Sequence, residues 1–309
     1  MPDIAAAGTP PVPPILEGLR VRGMVWRPSR AMGKPLSFGF FPWLRLGRSL
    51  LLVGLGVYGY LLWLGWFQSE RLIFLPRPAS YQDGDAILKL TTSDGLQISA
   101  VYLPNPQATY TLLYSHGNAE DLGDILPRLV GLQQGGFAVL AYDYRGYGTS
   151  EGIPSEAGAY RDIEAAYAYL IAQGIPPERI LVYGRSVGGG PSVYLATQKP
   201  VGGLILESTF VSAFRVLTRL PLLPFDRFDN LSRIAHINCP LLILHGTQDR
   251  LIPFWHAEAL YQAARDPKRL VAIKGADHNN LLQVAGERYL PLLHQFVAEL
   301  VEPSRFSGK

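Results

Sequence analysis

Gly184-Arg185-Ser186-Val187-Gly188 directly follows the apolar run Ile180-Leu181-Val182-Tyr183, and a segment of helical pattern comes next. This is the sequence form of a nucleophile elbow, a sharp strand-to-helix turn that lifts a serine hydroxyl out of the fold. The glycines suit a turn that leaves no room for a Cβ at either neighbouring position. A lone pentapeptide of this kind is weak, and its weight comes from an acid and a histidine placed later in the chain. A serine hydroxyl needs a base to take its proton, and the base needs an acid to hold its tautomer. Asp249 ends the stretch Leu241-Leu-Ile-Leu-His245-Gly-Thr-Gln-Asp249, and His278 ends Val271-Ala-Ile-Lys-Gly-Ala-Asp-His278. Each falls in the loop after a strand-like run, at the sheet edge where the elbow also opens. Ser186 is therefore the expected nucleophile, His278 the base and Asp249 the orienting acid.

These residues have rivals. His245 precedes the acid loop and reads as a buried hydrogen-bonding residue. His256 starts a helix and His294 lies deep in the last one, so surface or packing roles suit both. His236 is the loose competitor. Glu207, at the end of Leu204-Ile-Leu-Glu207, is the runner-up acid. Asp249 is favoured over it because it follows the strand from which the acid of this arrangement usually comes. A tetrahedral oxyanion needs two donors. The backbone N–H of Val187 is one, and that of Asn118 in the loop Ser115-His116-Gly117-Asn118 is the other, with His116 and Gly117 supporting the loop. The plainer reading of that loop is a glycine turn ending a strand. Asp143-Tyr144-Arg145-Gly146-Tyr147-Gly148 reads as a structural turn in which Tyr144 could border a pocket. HExxH, CxxC and P-loop lysine patterns are absent from the sequence, so neither a metal nor a cofactor is expected.

Short apolar runs at 86–91, 97–103, 110–115, 137–142, 180–184, 203–208, 240–245 and 269–274 must carry these loops. Most lack alternation, as strands buried on both faces of a parallel sheet do. The first two alternate more and are joined through Ser93-Asp94-Gly95, a hairpin signal. Helical patterns fill the gaps at 121–134, 156–173, 187–198, 254–265 and 281–300. The expected fold is one mostly parallel sheet of about eight strands with helices on both faces. Residues 210–236 interrupt the rhythm with many Leu, Phe and Pro. They read either as a helix with a wandering loop or as a small cap supplying an apolar acyl pocket.

Residues 49–67 form an uncharged stretch that would span about 28 Å as a helix, close to a bilayer core. Trp43, Trp63 and Trp66 flank it as interfacial anchors would. A cleaved signal peptide lacks its cleavage site here. Gly54-Leu-Gly56-Val-Tyr-Gly59 matches a dinucleotide fingerprint by letters alone, without its strand–turn–helix setting. Residues 1–48 hold seven basic groups against Asp3 and Glu17, so the net charge of +3 reports this arm. The remaining 261 residues hold 21 basic and 23 acidic groups, which gives no basis for nucleic-acid binding. The basic arm before the span places the N-terminus in the cytoplasm and the large domain on the extracytoplasmic side. Expected segments are a disordered arm at 1–48, a transmembrane anchor at 49–67, a linker at 68–84, a catalytic domain at 85–301 and a tail at 302–309. Cys239 is the single cysteine, so no internal disulfide can form.

SHGNAEDLGD, AYDYRGYGTSEGIPSE, YGRSVGGGP, LILHGTQDRLIP and KGADHNN, in that order, resemble the α/β-hydrolase superfamily. They look most like its membrane-associated bud-emergence-type branch, which includes acyl-protein depalmitoylases. The resemblance covers about residues 85–300. It implies the α/β-hydrolase fold, Ser186, Asp249 and His278 as a triad, an oxyanion contribution from His116-Gly117-Asn118, and ester or thioester hydrolysis of a small or lipid-like acyl substrate. The chain departs from the depalmitoylase members in lacking their N-terminal cysteine cluster and carrying an apolar span instead. A serine peptidase or amidase on the same fold, and a catalytically silent binding module, are the alternative readings.

Overall fold

The computed structural model describes residues 41–301. Eight strands form one sheet: β1 (Leu88–Thr91), β2 (Gln97–Leu103), β3 (Thr111–Ser115), β4 (Ala138–Tyr142), β5 (Ile180–Arg185), β6 (Gly203–Glu207), β7 (Leu241–Gly246) and β8 (Lys268–Ile273). Their spatial order is β1-β2-β4-β3-β5-β6-β7-β8, with β1 and β2 antiparallel to their neighbours and the rest parallel. The chain runs outward from β3 to β4 and then crosses back to β5. The order thus reverses between β3 and β5, which pair in register from Thr111 with Ile180 to Ser115 with Gly184. Ligand crevices in open sheets form at such reversals, beyond the carboxyl ends of the strands. The Ser115-His116 loop and the serine elbow leave the sheet at this point.

Burial on both faces explains the unbroken apolar strands. Every residue of β3 to β7 is buried. Successive side chains feed opposite cores: Leu140 and Ile243 join one cluster, Val139 and Leu242 the other. The first cluster is covered by α4 (Glu156–Ala172), α5 (Gly189–Gln198), α6 (Asn230–Ile234) and α7 (Trp255–Ala263). The second is covered by α3 (Leu122–Gln134), α8 (Leu281–Ala285) and α9 (Tyr289–Val301). The α3 N-terminus follows the carboxylate of Asp121, which accepts from the Gly123 and Asp124 N–H groups. The helix expected over 281–300 breaks at Gly286, whose φ is +54°.

Ahead of the sheet stand α1 (Phe41–Phe67) and α2 (Ser69–Ile73). The chain divides into two units within α1, Met1–Val53 and Gly54–Lys309, and the candidate active site lies wholly in the second. The basic arm expected over 1–48 lies outside the described residues up to residue 40, and residues 41–48 are helical rather than disordered. Arg45–Phe67 is long and apolar enough to cross a bilayer. The segment 68–84, expected as a linker, is bound to the domain instead. Phe74 is buried, Tyr81 Oη donates to Asp143 at 2.5 Å, and Ser80 Oγ donates to Asp121. The insert 210–236 is mostly irregular, with one turn of tight helix at Phe214–Val216 before α6.

Candidate active site

Ser186 sits between β5 and α5 with φ +54°, a left-handed conformation that costs an L-residue on the order of 1–3 kcal/mol. The turn is closed by close packing. A Cβ on Gly188 would lie 2.2 Å from the Ser115 carbonyl oxygen, and one on Gly184 would lie 2.6 Å from the Gly188 carbonyl oxygen. Thr209 Oγ1, in the loop after β6, donates to the Ser186 carbonyl at 2.8 Å and fixes the turn.

His278 Nε2 lies 3.1 Å from Ser186 Oγ, and its Nδ1 lies 2.8 Å from Asp249 Oδ2. A carboxylate only accepts, so Nδ1 carries the ring proton and Nε2 faces the hydroxyl as an acceptor. The other oxygen of Asp249 accepts the N–H groups of Leu251 and Ile252 at 3.0 and 2.7 Å, which fixes the carboxylate. The three side chains expected to act together are thus within proton-transfer range. They reach one edge from the ends of β5, β7 and β8.

The other histidines are occupied elsewhere. His245 Nε2 donates to the Ile252 carbonyl at 2.7 Å and lies 3.5 Å from Asp249 Oδ2, out of reach of a hydrogen bond to Ser186. His256 is fully buried and accepts the Val211 N–H at 3.2 Å; burial pushes it down to about 4, so it is neutral. His294 stacks on Phe137, and His236 is exposed beside the Ser232 carbonyl. Glu207 makes no bond to His278. It lies fully buried, with Arg128 at 2.8 Å, Tyr289 Oη donating at 2.8 Å and Tyr183 Oη also donating. Burial alone would raise its pKa, but Arg128 and Arg185 outweigh it and hold the carboxyl at about 2.

Within the loop after β3, the Gly117 N–H donates to Glu120 at 3.0 Å and the Ala119 N–H to the Asn118 side chain at 3.0 Å. Neither the Asn118 nor the Glu120 N–H has an acceptor among the described residues; of the two, Asn118 lines the cavity that opens at Ser186. Ala119 has φ +56°, which turns the backbone there. His116 is buried behind the loop, its Nδ1 2.7 Å from the Gly117 carbonyl and its Nε2 3.2 Å from Asp143. Burial opposes its protonation, yet Asp143 and the Gly117 carbonyl raise its pKa. Tyr144 does not line the pocket; its hydroxyl donates to the His116 carbonyl at 2.7 Å and braces the loop from below.

Arg185 escaped sequence reasoning. It precedes the serine, is nearly buried, donates to Glu120 and, at 2.9 Å, to Asn279 next to His278, and lies 3.4 Å from Glu207. One guanidinium therefore joins the β3 loop, the elbow and the histidine loop. A charged residue inside an otherwise apolar strand end was the available signal.

A cavity of about 400 Å³ opens at Ser186, Val187 and Asn118. Its walls are mainly apolar, including Phe210, Phe214 and Leu223 of the insert. Among the described residues, no cluster of His, Cys, Asp and Glu could hold a metal.

A family model described as serine aminopeptidase, S33, matches residues 106–223. The human protein α/β-hydrolase domain-containing protein 17B is 40% identical over 227 residues, covering 71% of this chain and 78% of the human one. The 17C protein of Xenopus laevis is 37% identical, covering 70% of each. Among solved structures, an esterase of Pyrococcus furiosus aligns with a TM-score of 0.61 at 20% identity, over 73% of this chain and 99% of that one. An esterase of a Rhodococcus species aligns at 0.55 and 19%, over 70% and 99%. At that identity the two structures speak for the fold.

Proposed function

Because the chain belongs to the α/β-hydrolase domain-containing protein 17 family of serine hydrolases, we propose that it is a membrane-anchored enzyme cleaving a carboxylic ester or thioester through Ser186, His278 and Asp249. Ser186 Oγ attacks the acyl carbonyl carbon while His278 Nε2 takes its proton. Asp249, held by two backbone N–H groups, stabilises the imidazolium and keeps its orientation. The oxyanion receives the N–H groups of Val187 and Asn118, and each such donor is worth about 3–4 kcal/mol of barrier. The imidazolium then protonates the leaving alcohol or thiol. Water, deprotonated by the same nitrogen, attacks the acyl-enzyme and releases the acid.

The observation carrying this reading is the unbroken chain from Asp249 through His278 to Ser186, with Val187 and Asn118 lining the cavity beside it. The apolar cavity favours an acyl group over a polar one. The aminopeptidase match raises amide bonds as a substrate. However, a site for a free amino terminus needs an available anion, and Asp226 in the lining already accepts from Ser212, Phe214 and Arg227. An ester or thioester fits better. Anchoring rests on the length and exposure of α1, and the basic groups before it and in its first turns favour a cytoplasmic N-terminus with the catalytic domain on the far side.

A fluorophosphonate probe tests the nucleophile. Wild type should label and Ser186→Ala should not. Labelling that survives the substitution refutes the assignment, and a folded wild type that never labels is the silent module.

A further inference from the structure

The cavity at Ser186 has one wall that the sheet and its helices do not provide. Leu61, Leu64 and Gly65 line it from the last turns of α1, and Leu72 and Ile73 line it from α2. Gly65 is the one buried position among the described residues of α1. A Cβ there would lie 2.6 Å from Leu223 and 3.4 Å from the Phe225 ring, two residues that line the same cavity. The helix end approaches the insert this closely because position 65 has no side chain.

This wall is fastened. Arg227 Nη2 donates to the Trp66 carbonyl at 3.2 Å, and its Nε donates to Ser69 at 3.1 Å. The Glu156 N–H donates to the Glu70 carboxylate at 3.1 Å, and Trp66 meets Phe225 edge to face with centroids 5.0 Å apart. A helix serving as a tether alone needs none of these. A further link reaches the reacting centre. Asn118 Nδ2 donates to the Ile73 carbonyl at 2.5 Å, and its Oδ1 accepts the Leu75 N–H at 3.0 Å. The segment after α1 is thus bonded to Asn118, which lines the cavity beside Ser186.

We propose that the C-terminal end of α1 is a wall of the acyl-binding site, and that Gly65 sets how deep a hydrocarbon acyl chain can enter. The helix then selects substrate as well as anchoring the enzyme. This rests on the serine-hydrolase reading and names the element that selects acyl length within it. Each methylene buried is worth roughly fourfold in binding, so a side chain that displaces two or three of them changes selectivity measurably.

The test uses the full chain in phospholipid nanodiscs with p-nitrophenyl butyrate, dodecanoate and hexadecanoate. Gly65→Leu should lower the dodecanoate-to-butyrate ratio of kcat/KM about tenfold or more, and Gly65→Ala should lower it less. Leu64→Ala, which removes bulk from the same wall, should raise the hexadecanoate-to-dodecanoate ratio several-fold. Tyr58→Ala, higher on α1 and not in the cavity, should leave both ratios unchanged. Fluorophosphonate labelling of Ser186 in each variant reports an intact site independently of chain length. Ratios that stay at wild-type values in variants that still label overturn the proposal and leave the hydrolase reading standing. Should Gly65→Leu not fold, opposite shifts in Gly65→Ala and Leu64→Ala support the proposal, and their absence overturns it. A folded wild type that neither labels nor cleaves any ester overturns the hydrolase reading and this proposal with it.

Discussion

At the scale of single residues, Arg185 is the group whose replacement separates positioning from simple stability. Its fork reaches Glu120 and Asn279 at once, which one ammonium cannot do. Arg185→Lys should therefore lower kcat about tenfold or more with little change in KM for a short ester. A drop in thermal stability with an unchanged kcat would show that the side chain only holds the fold. The meeting of Ser186, Asp249 and His278 was legible because each follows a recognisable strand, and strand ends of a parallel sheet share one edge. Arg185, Glu120 and Asn279 were not. Each is an ordinary polar residue until the sheet brings three loops together, and no local spacing encodes that meeting. Glu207 stands out in the sequence for a sound reason, a carboxylate ending an apolar strand, but as a candidate acid. The guanidinium groups beside it give it a structural part instead.

At the scale of elements, Glu207 ties β6 to β5 through Tyr183, to α3 through Arg128 and to α9 through Tyr289. Its carboxyl is held at about 2, below the 4.5 of a free glutamate. A group with a depressed folded-state pKa contributes its stability in full above the unfolded value and loses it as pH falls through the folded one. Thermal stability should thus decline from about pH 4.5 toward pH 2, and Glu207→Gln should flatten that part of the decline. A Gln variant with the same acid slope as wild type would contradict the role. The strands were legible nearly to the residue because burial on both faces leaves uninterrupted apolar runs. The ends of helices were less so. Only geometry shows the break at Gly286, and residues 41–48 are helical because nothing in them stops a helix. The insert takes an irregular path with short helical turns, and its Phe210, Phe214 and Leu223 line the cavity at Ser186.

At the scale of the whole molecule, the uneven charge leads to a prediction about sidedness. Five of the seven basic groups of the first 48 residues precede α1 and the other two, Arg45 and Arg48, lie in its first turns, while the rest of the chain is close to neutral. Protease added outside intact cells should cleave beyond residue 70 and spare an epitope placed at the N-terminus; the reverse pattern would invert the orientation. The bonds from Arg227 to Trp66 and Ser69 have a practical consequence for anyone preparing the protein. Cutting the chain after Phe67 to obtain a water-soluble fragment would breach the cavity and free one ligand of Arg227. Such a fragment would be a different catalyst, and its preferences among substrates could not stand in for those of the intact chain.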